Sequence, residues 1–407
     1  MSESPNFLMI LVNCMDNRLR NNKLRSIFAL ALRTAALLAC TGPIMQTFLA
    51  SLGFSSRFIY INTTLVQAAN ILTSSLCAQW ADKGSVIRRS AICEIPHALL
   101  YLCYIPLCLW KSPSFTSFAL LTLICLLQSA CIALYTVCEY KLPYFIYGPK
   151  DYGTVLAISG IVSSLISLGA GIVITKLAGI MDYSTLMLGA CVISCVMMGI
   201  SSLLHVLQKP LHQLHTPTEK VAAGSSLSIF REPVFYRMIP ANLLRGFAYG
   251  TTTVMAGIAL DLGYDQSVST SLVSFQSGAM LLGCGLFALS TRYLSARTMM
   301  LLGSLAFALL PVMLIPGQGL FLVIFGVVFF GRTLVDYATP SLLRLAVPVE
   351  LAGPYNAWRM ILHFSGTLLA TTVAAMIPVW ALLGLTMTAQ LISGISYFAD
   401  KDMKNAA

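Results

Sequence analysis

The chain has 407 residues, of which 57% are apolar and only 10% are charged, and its mean hydropathy is +0.81. Soluble domains carry about 25% charged residues, because a folded core needs a charged surface around it. The composition therefore excludes a soluble enzyme, a nucleic-acid-binding protein and a disordered chain, and it predicts an all-α polytopic membrane protein. The formal net charge of +10 then raises the question of where the cations lie relative to the bilayer.

Apolar windows predict where the chain crosses the bilayer, since a helix needs about 20 such residues to span the hydrocarbon core. The first half has six candidate spans, near residues 27–50, 58–80, 90–110, 115–138, 154–178 and 184–207. The second half has six more, near residues 237–260, 268–290, 297–315, 319–341, 355–376 and 379–398. Spans 11 and 12 are the least clearly divided, because Pro378 alone marks a hairpin between them.

The distribution of lysine and arginine predicts the orientation. With the amino terminus in the cytoplasm, the cytoplasmic segments hold 18 of the 25 basic residues, the external segments hold 3 and the spans hold 4. Basic residues concentrate in cytoplasmic loops of membrane proteins. We therefore expect an integral, multi-pass protein of the plasma (inner) membrane with both termini in the cytoplasm.

Neither the cysteines nor the start of the chain indicates a particular chemical function. Most of the twelve cysteines lie in apolar runs without a C-x-x-C pair, which favours free core thiols over a disulfide or zinc framework. No metal or cofactor is predicted, and no catalytic constellation appears at usable spacing, so we expect no enzyme activity. Residues 1–14 precede a second ordinary start at Met15, and amino-terminal sequencing would decide between the two starts.

The two halves of the sequence resemble each other. A polar stretch separates spans 6 and 7, and the turn Ser51-Leu52-Gly53-Phe54 returns 210 residues later as Asp261-Leu262-Gly263-Tyr264. Such a match predicts a parallel internal repeat. The predicted organisation is a cytoplasmic segment (1–26), an amino-terminal six-helix bundle (27–207), a cytoplasmic linker (208–236), a carboxy-terminal six-helix bundle (237–398) and a cytoplasmic tail (399–407).

The loop between spans 2 and 3 carries a recognisable motif. It reads Ala78-Gln79-Trp80-Ala81-Asp82-Lys83-Gly84-Ser85-Val86-Ile87-Arg88-Arg89 and resembles the G-x-L-A-D-R-x-G-R-K/R pattern of the major facilitator superfamily. The first glycine is replaced by alanine, the second comes one place early and the basic pair comes late. The resemblance implies twelve transmembrane helices in two pseudo-symmetric six-helix bundles, which move a small solute by alternating access.

The same resemblance implies that this loop latches the two halves together in one conformation. The residues that would take this role are Asp82, Lys83, Arg88 and Arg89, with Glu139 as a further partner. Charge pairs at the membrane surface can be made in one state and broken in the other. The alternative is a basic loop that sets topology and has no gating role.

Two arginines inside the predicted membrane region point to an anion site. Arg33 and Arg245 precede the matching glycines of spans 1 and 7 by 20 and 18 residues, and the resemblance implies that these spans line the central cavity. Facing guanidiniums would clamp a phosphate or carboxylate, and the organophosphate exchangers of the superfamily are similar in having one arginine on each of these helices. The alternative is that the arginines snorkel to the interface or pair with an acid.

Three further charged pairs and a set of amides complete the candidates. Arg332 and Asp336, at i and i+4, predict either mutual neutralisation or a protonation switch. The pairs Glu94 with His97 and Arg359 with His363 could pass a proton, or Glu94 and Arg359 could lie near the interface. The amides expected to line the cavity, or to form interhelical hydrogen bonds instead, are Gln46, Asn62, Gln67, Asn70, Asn242 and Gln276.

Together, the residues and the resemblance predict a secondary active transporter, a permease whose expected substrate is a small organic anion. Its expected partners are that solute, a coupling ion and the lipid bilayer, with no nucleic acid, and we expect it to function as a monomer. One alternative is a proton-coupled exporter of drugs or cations. The other is a transporter-like sensor or scaffold that moves no solute.

Overall fold

The computed structural model describes residues 17–40, 43–76, 85–147, 152–177, 180–210, 232–290, 293–346 and 352–400. All regular secondary structure in these residues is helical, which confirms the all-α prediction. The first half forms six rods: α1 (Asn17–Cys40 and Pro43–Ser51), α2 (Ser56–Leu76), α3 (Val86–Leu102 and Ile105–Trp110), α4 (Phe115–Ile146), α5 (Tyr152–Leu177) and α6 (Tyr183–Val206).

The second half forms six more rods. They are α7 (Pro233–Thr253 and Met255–Asp261), α8 (Gln266–Ser290), α9 (Ala296–Leu305, continued by the 3-10 helix Ala306–Leu314), α10 (Gln318–Ala346), α11 (Ala352–Ala374) and α12 (Val379–Ala399). The predicted hairpin at Pro378 is present, since this residue caps the start of α12. The predicted windows are too short at α1, α4 and α10, which extend past the apolar residues into polar sequence.

Within the part of the chain that the structure describes, eight rods are long and apolar enough to cross a membrane: α3 to α6, α8 to α10 and α12. The other four, α1, α2, α7 and α11, carry buried polar or charged side chains, such as Arg33, Asn62, Arg245 and Arg359. These residues lower the hydropathy of the rods that bear them. That these four rods also cross the membrane stays a prediction.

Corresponding turns of the two halves share one geometry. The N–H of Phe54 bonds the carbonyl of Leu49 at 3.1 Å, and the N–H of Tyr264 bonds that of Ala259 at 3.0 Å. Gly53 and Gly263 take φ values of +93° and +81°, which glycine adopts without the strain that a Cβ would bring. The repeat seen in the sequence is therefore also present in the backbone.

Both described chain ends lie on one side of the bundle, here called the terminal side. The Asn22 amide donates to the carbonyl of Lys209 at 2.7 Å, so the start of α1 lies beside the end of α6. Arg237 at the start of α7 pairs with Asp400 after α12 at 3.0 Å. The opposite side, which carries the turns of Gly53 and Gly263, is called the distal side.

The two halves meet along α5 against α8 and α2 against α11. On the distal side, the Tyr60 hydroxyl donates to the Asp261 carboxylate at 2.5 Å. The Gln46 amide donates to the carbonyl of Thr253. These contacts join the halves at the distal end of the space between them. The linker prediction at 208–236 and the two terminal segments stay predictions, because residues 1–16, 211–231 and 401–407 lie outside the described residues.

Candidate functional site

A cavity of about 430 Å³ lies between the two halves. Its walls come from α1, α2 and α4 on one side and from α7, α8, α10 and α11 on the other. Small-molecule sites in proteins typically have volumes of about 300–1,000 Å³. The cavity is therefore large enough for a small solute, and both halves contribute to it.

Five of the six predicted amides line this cavity: Gln46, Asn62, Gln67, Asn70 and Gln276. Gln67 and Asn70 lie one turn apart, and the Asn70 amide donates to the Gln67 carbonyl oxygen at 3.3 Å. Asn242 does not line the cavity. It accepts a hydrogen bond from the Tyr397 hydroxyl at 2.8 Å and donates to the Met238 carbonyl at 2.9 Å, so it holds helices of the second half together.

Gln128 also lines the cavity, and sequence reasoning missed it. A signal for it exists, because Cys125, Gln128, Ser129 and Ile132 follow a helical spacing and all four line the cavity from α4. Within the described residues, five buried polar atoms of the wall have no hydrogen-bond partner: the oxygens of Gln46, Asn62 and Asn70, the amide nitrogen of Gln128 and the Nε of Arg332. Buried polar atoms usually find a partner, so these atoms are available to a solute.

The carboxy-terminal half brings its charges to the cavity wall. Arg332 and Asp336 line the cavity, and the Asp336 carboxylate lies 3.6 Å from the Arg332 Nε and 3.0 Å from the Arg245 Nη2. The pairing predicted from the i, i+4 spacing is therefore present, and Arg245 joins it. The Arg332 guanidinium also stacks 3.5 Å from the ring centroid of Tyr249 and donates to the Thr252 hydroxyl at 2.6 Å.

Arg359 and His363 on α11 add positive charge near this group. Arg359 is buried and donates to Asn356 Oδ1 at 2.9 Å; its place near the membrane interface stays a prediction. His363 contacts the Tyr249 ring edge to face at 4.6 Å and lies within electrostatic range of Arg245, Arg332 and Arg359. This region therefore gathers three guanidiniums near His363, and two of them, those of Arg245 and Arg332, also contact the Asp336 carboxylate.

Arg33 has a different environment from the one expected. Its guanidinium stacks over Tyr135, 3.7 Å from the ring centroid, and its Nε lies 3.5 Å from the Glu94 carboxylate. Glu94 is only 1% exposed, so it is a buried partner of an arginine, and its distance from the membrane interface stays a prediction. His97 stacks on the Tyr101 ring at 5.2 Å, and the structure gives no direct bond between Glu94 and His97.

The structure does not bring Arg33 and Arg245 together. Neither is part of the cavity lining, and each is held by an acid of its own half, Glu94 for Arg33 and Asp336 for Arg245. The repeat led us to expect that the two guanidiniums face each other in the cavity, and the structure corrects this expectation. The physical reason is that burial of an arginine requires a compensating charge, and both helices find an acid within their own bundle. Among the described residues, the basic side chain that lines the cavity is that of Arg332.

The predicted latch is only partly visible. Asp82 and Lys83 lie outside the described residues. Arg88 is exposed in the first turn of α3, where its N–H bonds the capping Ser85. Glu139 lies on α4, is partly exposed and lies within electrostatic range of Arg33 and Glu94. The gating role of Asp82, Lys83, Arg88, Arg89 and Glu139 stays a prediction.

The fold and the cavity define a polytopic membrane transporter, in which two bundles enclose a cavity lined by both apolar and polar side chains. The sequence profile of the Major Facilitator Superfamily matches residues 27–371, and the chain belongs to this family. The resemblance drawn from the loop motif and the repeat is therefore confirmed.

Solved structures give the same fold. The nucleoside transporter NupG, in a mutant form, is similar with a TM-score of 0.65 at 14% identity, covering 93% of this chain and 99% of that one. A bacterial homologue of the iron transporter ferroportin in the outward-facing state has a TM-score of 0.62 at 12% identity, covering 92% and 98%. A sequence search of the curated proteins gives no match. At these identities the structures show the fold alone.

Proposed function

We propose that this transporter carries a small organic anion across the plasma membrane by alternating access, with both termini in the cytoplasm. The observation that carries the proposal is the charge of the cavity wall. Arg332 lines the cavity, and Arg245 shares the Asp336 carboxylate with it. Two guanidiniums against one carboxylate leave this group with an uncompensated positive charge, with Arg332 in the wall and Arg245 directly behind it, and such a charge favours an anion.

The unpartnered atoms of the opposite wall narrow the chemistry of the solute. The oxygens of Gln46, Asn62 and Asn70 can only accept hydrogen bonds, whereas the Gln128 nitrogen can only donate. An anion that also carries hydroxyl groups would satisfy both kinds of atom. Hydroxylated carboxylates and phosphate monoesters of polyols have this combination of groups and a size that suits about 430 Å³.

The residues of the cavity wall give less support to the alternative functions. An exported cation would meet Arg332 and would need a carboxylate free of arginine, whereas Asp336 is paired with two. A scaffold without transport has no need for a polar cavity between the halves. A neutral polar solute would satisfy the amides but would leave the positive charge of Arg332 and Arg245 without a function.

The test is solute uptake by the purified full-length protein in liposomes. Gluconate and glycerol 3-phosphate are the anionic probes, and glucose and choline are the neutral and cationic comparisons. We expect saturable uptake of an anion, reduced about 30-fold or more by Arg332→Gln, because truncating a buried charged contact typically costs at least 2 kcal/mol. Arg57→Gln, an exposed arginine at the start of α2, is the matched control and should leave uptake unchanged.

Two results would overturn the proposal. One is uptake of glucose or choline in preference to both anions. The other is anion uptake that is as fast in Arg332→Gln as in Arg57→Gln.

A further inference from the structure

A second cavity of about 230 Å³, here called the lateral pocket, lies beside the cavity between the halves. Its walls come mainly from α1, α5 and α6 of the first half, and the second half contributes Val273 on α8. Leu38 on α1 lines both cavities, so the two are neighbours. Within the described residues, no charged side chain lines the lateral pocket. It therefore has nothing to hold the anion proposed for the first cavity.

The lining of the lateral pocket is apolar apart from two hydroxyl groups. The Thr185 hydroxyl donates to the Asp182 carboxylate. The Ser167 hydroxyl has no partner among the described residues, and one hydroxyl provides fewer than the two to four polar partners that a buried water needs. Empty space would leave the lining without the dispersion contacts of a packed interior. We therefore expect an apolar group to fill the pocket.

The lateral pocket opens towards the membrane. Val173 on α5 and Ile193 on α6 line it, and each is about half exposed. Both helices are apolar enough to cross a membrane, so their exposed sides face hydrocarbon. A Cβ built at Gly189, which also lines the pocket, would meet nothing within 4 Å, so the absence of a side chain there leaves space. The apolar group that can enter from this side is a lipid chain.

The length of the lateral pocket matches one leaflet of the bilayer. On α5 its lining runs from Ile166 to Leu177, the last residue of the helix. The 11 steps between them cover about 16 Å at about 1.5 Å per residue, which is about half of the hydrocarbon core of about 30 Å. Because α6 ends on the terminal side, the end of α5 lies on the distal side. A chain in the pocket therefore belongs to the distal leaflet.

A cation lies at the distal end of the lateral pocket. Lys176 is exposed in the last turn of α5, three residues after Val173. Lysines near the ends of membrane helices place the ammonium group among the lipid head groups. Asp182, the acid that follows in the chain, is paired with Lys111 instead. A lipid phosphate at this depth would meet the positive charge of Lys176.

We propose that the lateral pocket is a binding site for a phospholipid of the distal leaflet, and that the bound lipid stabilises the closed distal side. One acyl chain occupies the pocket, and the phosphate lies beside Lys176. The chain contacts α1, α5 and α6 of the first half and Val273 of the second.

The conformational effect follows from the contact with both halves. A Cβ at Gly171 would lie 2.8 Å from the Ser274 hydroxyl, so α5 and α8 touch directly beside Val273. In this conformation the bond between Tyr60 and Asp261 closes the distal side. Separation of the halves on that side would move Val273 away from α5 and remove part of the contact with the chain. The lipid therefore binds the closed conformation more tightly and shifts the population towards it.

The first experiment measures bound lipid by native mass spectrometry of the full-length protein in detergent. Phosphatidylglycerol is the probe, and the diacylglycerol with the same chains, which lacks the phosphate, is the comparison. We expect one retained phosphatidylglycerol and about fivefold weaker retention of diacylglycerol, since one lysine near a phosphate contributes this factor. Lys176→Gln should lower the retention of phosphatidylglycerol to that of diacylglycerol.

Two matched pairs of variants locate the site. Gly189→Phe fills the lateral pocket, and Gly199→Phe places the same ring on α6 outside it; a Cβ meets nothing within 4 Å at either position. Val173→Trp closes the mouth, and Ile172→Trp enlarges a neighbour that is also about half exposed but does not line the pocket. Gly189→Phe and Val173→Trp should each lower retention about tenfold or more by overpacking, and their controls should keep it.

Three results would overturn the binding site. One is a wild-type protein that retains no phosphatidylglycerol. Another is equal retention in each variant and its control, which would mean that the lipid binds elsewhere on the surface. The third is a dimer that Gly189→Phe and Val173→Trp abolish, because the pocket would then hold a second copy of this chain.

The second experiment tests the conformational effect in liposomes. Cysteine replaces Thr252 in the wall of the first cavity, and an impermeant thiol reagent is added on the distal side. Mass spectrometry of the peptide that contains position 252 separates this label from labelled native cysteines. The wild type and Ile172→Trp should react up to about fivefold more slowly in phosphatidylglycerol than in a glycolipid with the same chains. Val173→Trp should react at one rate in both lipids.

An effect of membrane charge on the reagent would be the same in Val173→Trp and Ile172→Trp, so it cannot produce the expected result. A lipid dependence that persists in Val173→Trp overturns the conformational role of the bound lipid. Neither experiment uses a transported solute, so this inference does not rest on the anion proposed above.

Discussion

The two arginines of the repeat show how equivalent positions in the two halves have acquired different surroundings. Arg33 and Arg245 each lie one turn before a cavity-lining residue of the same helix, Leu37 and Tyr249. Arg33 is paired with Glu94, which is 1% exposed and lies away from the cavity. Arg245 is paired with Asp336, which is 33% exposed and lies in the cavity wall.

This difference decides which half presents charged side chains to a solute. In the second half the acid can be reached from the cavity, and Arg332 shares it. In the first half both members of the pair are buried, and the wall presents amides instead. The repeat therefore supplies two arginines at one depth, and the helix that provides the acid, α3 in one half and α10 in the other, determines whether the charges face the cavity or the bundle interior.

The largest expected effect tests the two acids against each other. Glu94→Ala leaves the Arg33 charge buried without a partner, which typically costs about 3–5 kcal/mol of stability. Asp336→Ala leaves its arginines beside a cavity that water can enter, so we expect less than half of that loss. Unfolding of both variants by denaturing detergent, with the fold monitored by circular dichroism, gives the comparison.

Ser201→Ala is the control for Glu94, since it removes one hydrogen-bond donor and keeps the charge. Ser201→Ala should lower the stability less than Glu94→Ala does. Equal losses for Glu94→Ala and Asp336→Ala would show that the two pairs do not differ in burial as described.

A second prediction concerns the contact between the halves on the distal side. Tyr60→Phe removes the hydrogen bond to Asp261, and a hydrogen bond to a charged group contributes about 1.5–3 kcal/mol. The distal side should therefore open more often, by roughly tenfold or more. Labelling of a cysteine placed at the cavity residue Thr252, by an impermeant thiol reagent added on that side, measures the change.

The control is Tyr293→Phe, which removes a hydroxyl from an exposed tyrosine. It should leave labelling unchanged. If Tyr60→Phe also leaves the labelling rate of the cavity cysteine unchanged, the contact between Tyr60 and Asp261 does not hold the two halves together.

Much of the fold is readable from the sequence because it depends on local signals. Apolar windows locate the rods, and Gly53 and Gly263 mark the same turn in both halves because each needs a positive φ. The ends of α4 and α10 were not predictable in this way. Both helices continue beyond the apolar window, where hydropathy no longer reports on helical structure.

The site was readable only where one helix determines it. Gln67 and Asn70 share a helix face, and Arg332 and Asp336 are one turn apart, so spacing alone indicates that each pair acts together. The partner of Arg33 depends instead on how α1 packs on α3 and α6. Glu94 and His205 are 61 and 172 residues away from Arg33 in the sequence, and no local pattern links them.

A third prediction uses a glycine that the first half lacks. A Cβ at Gly246 would lie 2.1 Å from the His363 carbonyl oxygen on α11, whereas Ala36, 210 residues earlier, is buried with its methyl group accommodated. Gly246→Ala should therefore cost about 1–3 kcal/mol through overpacking. The same unfolding assay measures it.

Gly285→Ala is the matched control, since nothing lies within 4 Å of a Cβ built there. Alanine is favoured over glycine in a helix, so this variant should be as stable as the wild type or slightly more so. If Gly246→Ala also leaves the stability unchanged, α7 and α11 can move apart without a loss of stability.

The smallest effect is expected at the distal surface, where the halves also differ. The first half pairs Lys111 with Asp182 there, while the second uses a neutral bond from the Gly317 N–H to the Tyr264 hydroxyl at 3.2 Å. The hydrogen bonds from Lys111 and Thr185 lower the pKa of Asp182 to about 2. A lowered carboxyl pKa stabilises the folded state above the ordinary value of about 3.9, and this stabilisation disappears as the pH falls through 2.

Both side chains of this pair are about half exposed, and solvent screens such pairs strongly. Lys111→Ala should therefore lower the melting temperature only slightly at neutral pH, and the difference from the wild type should vanish in strong acid. Tyr264→Phe in the second half should show no such pH dependence, because its bond involves no titrating group in that range. A difference at Lys111 that persists unchanged in strong acid would mean that the lysine stabilises this turn by packing and not by its charge.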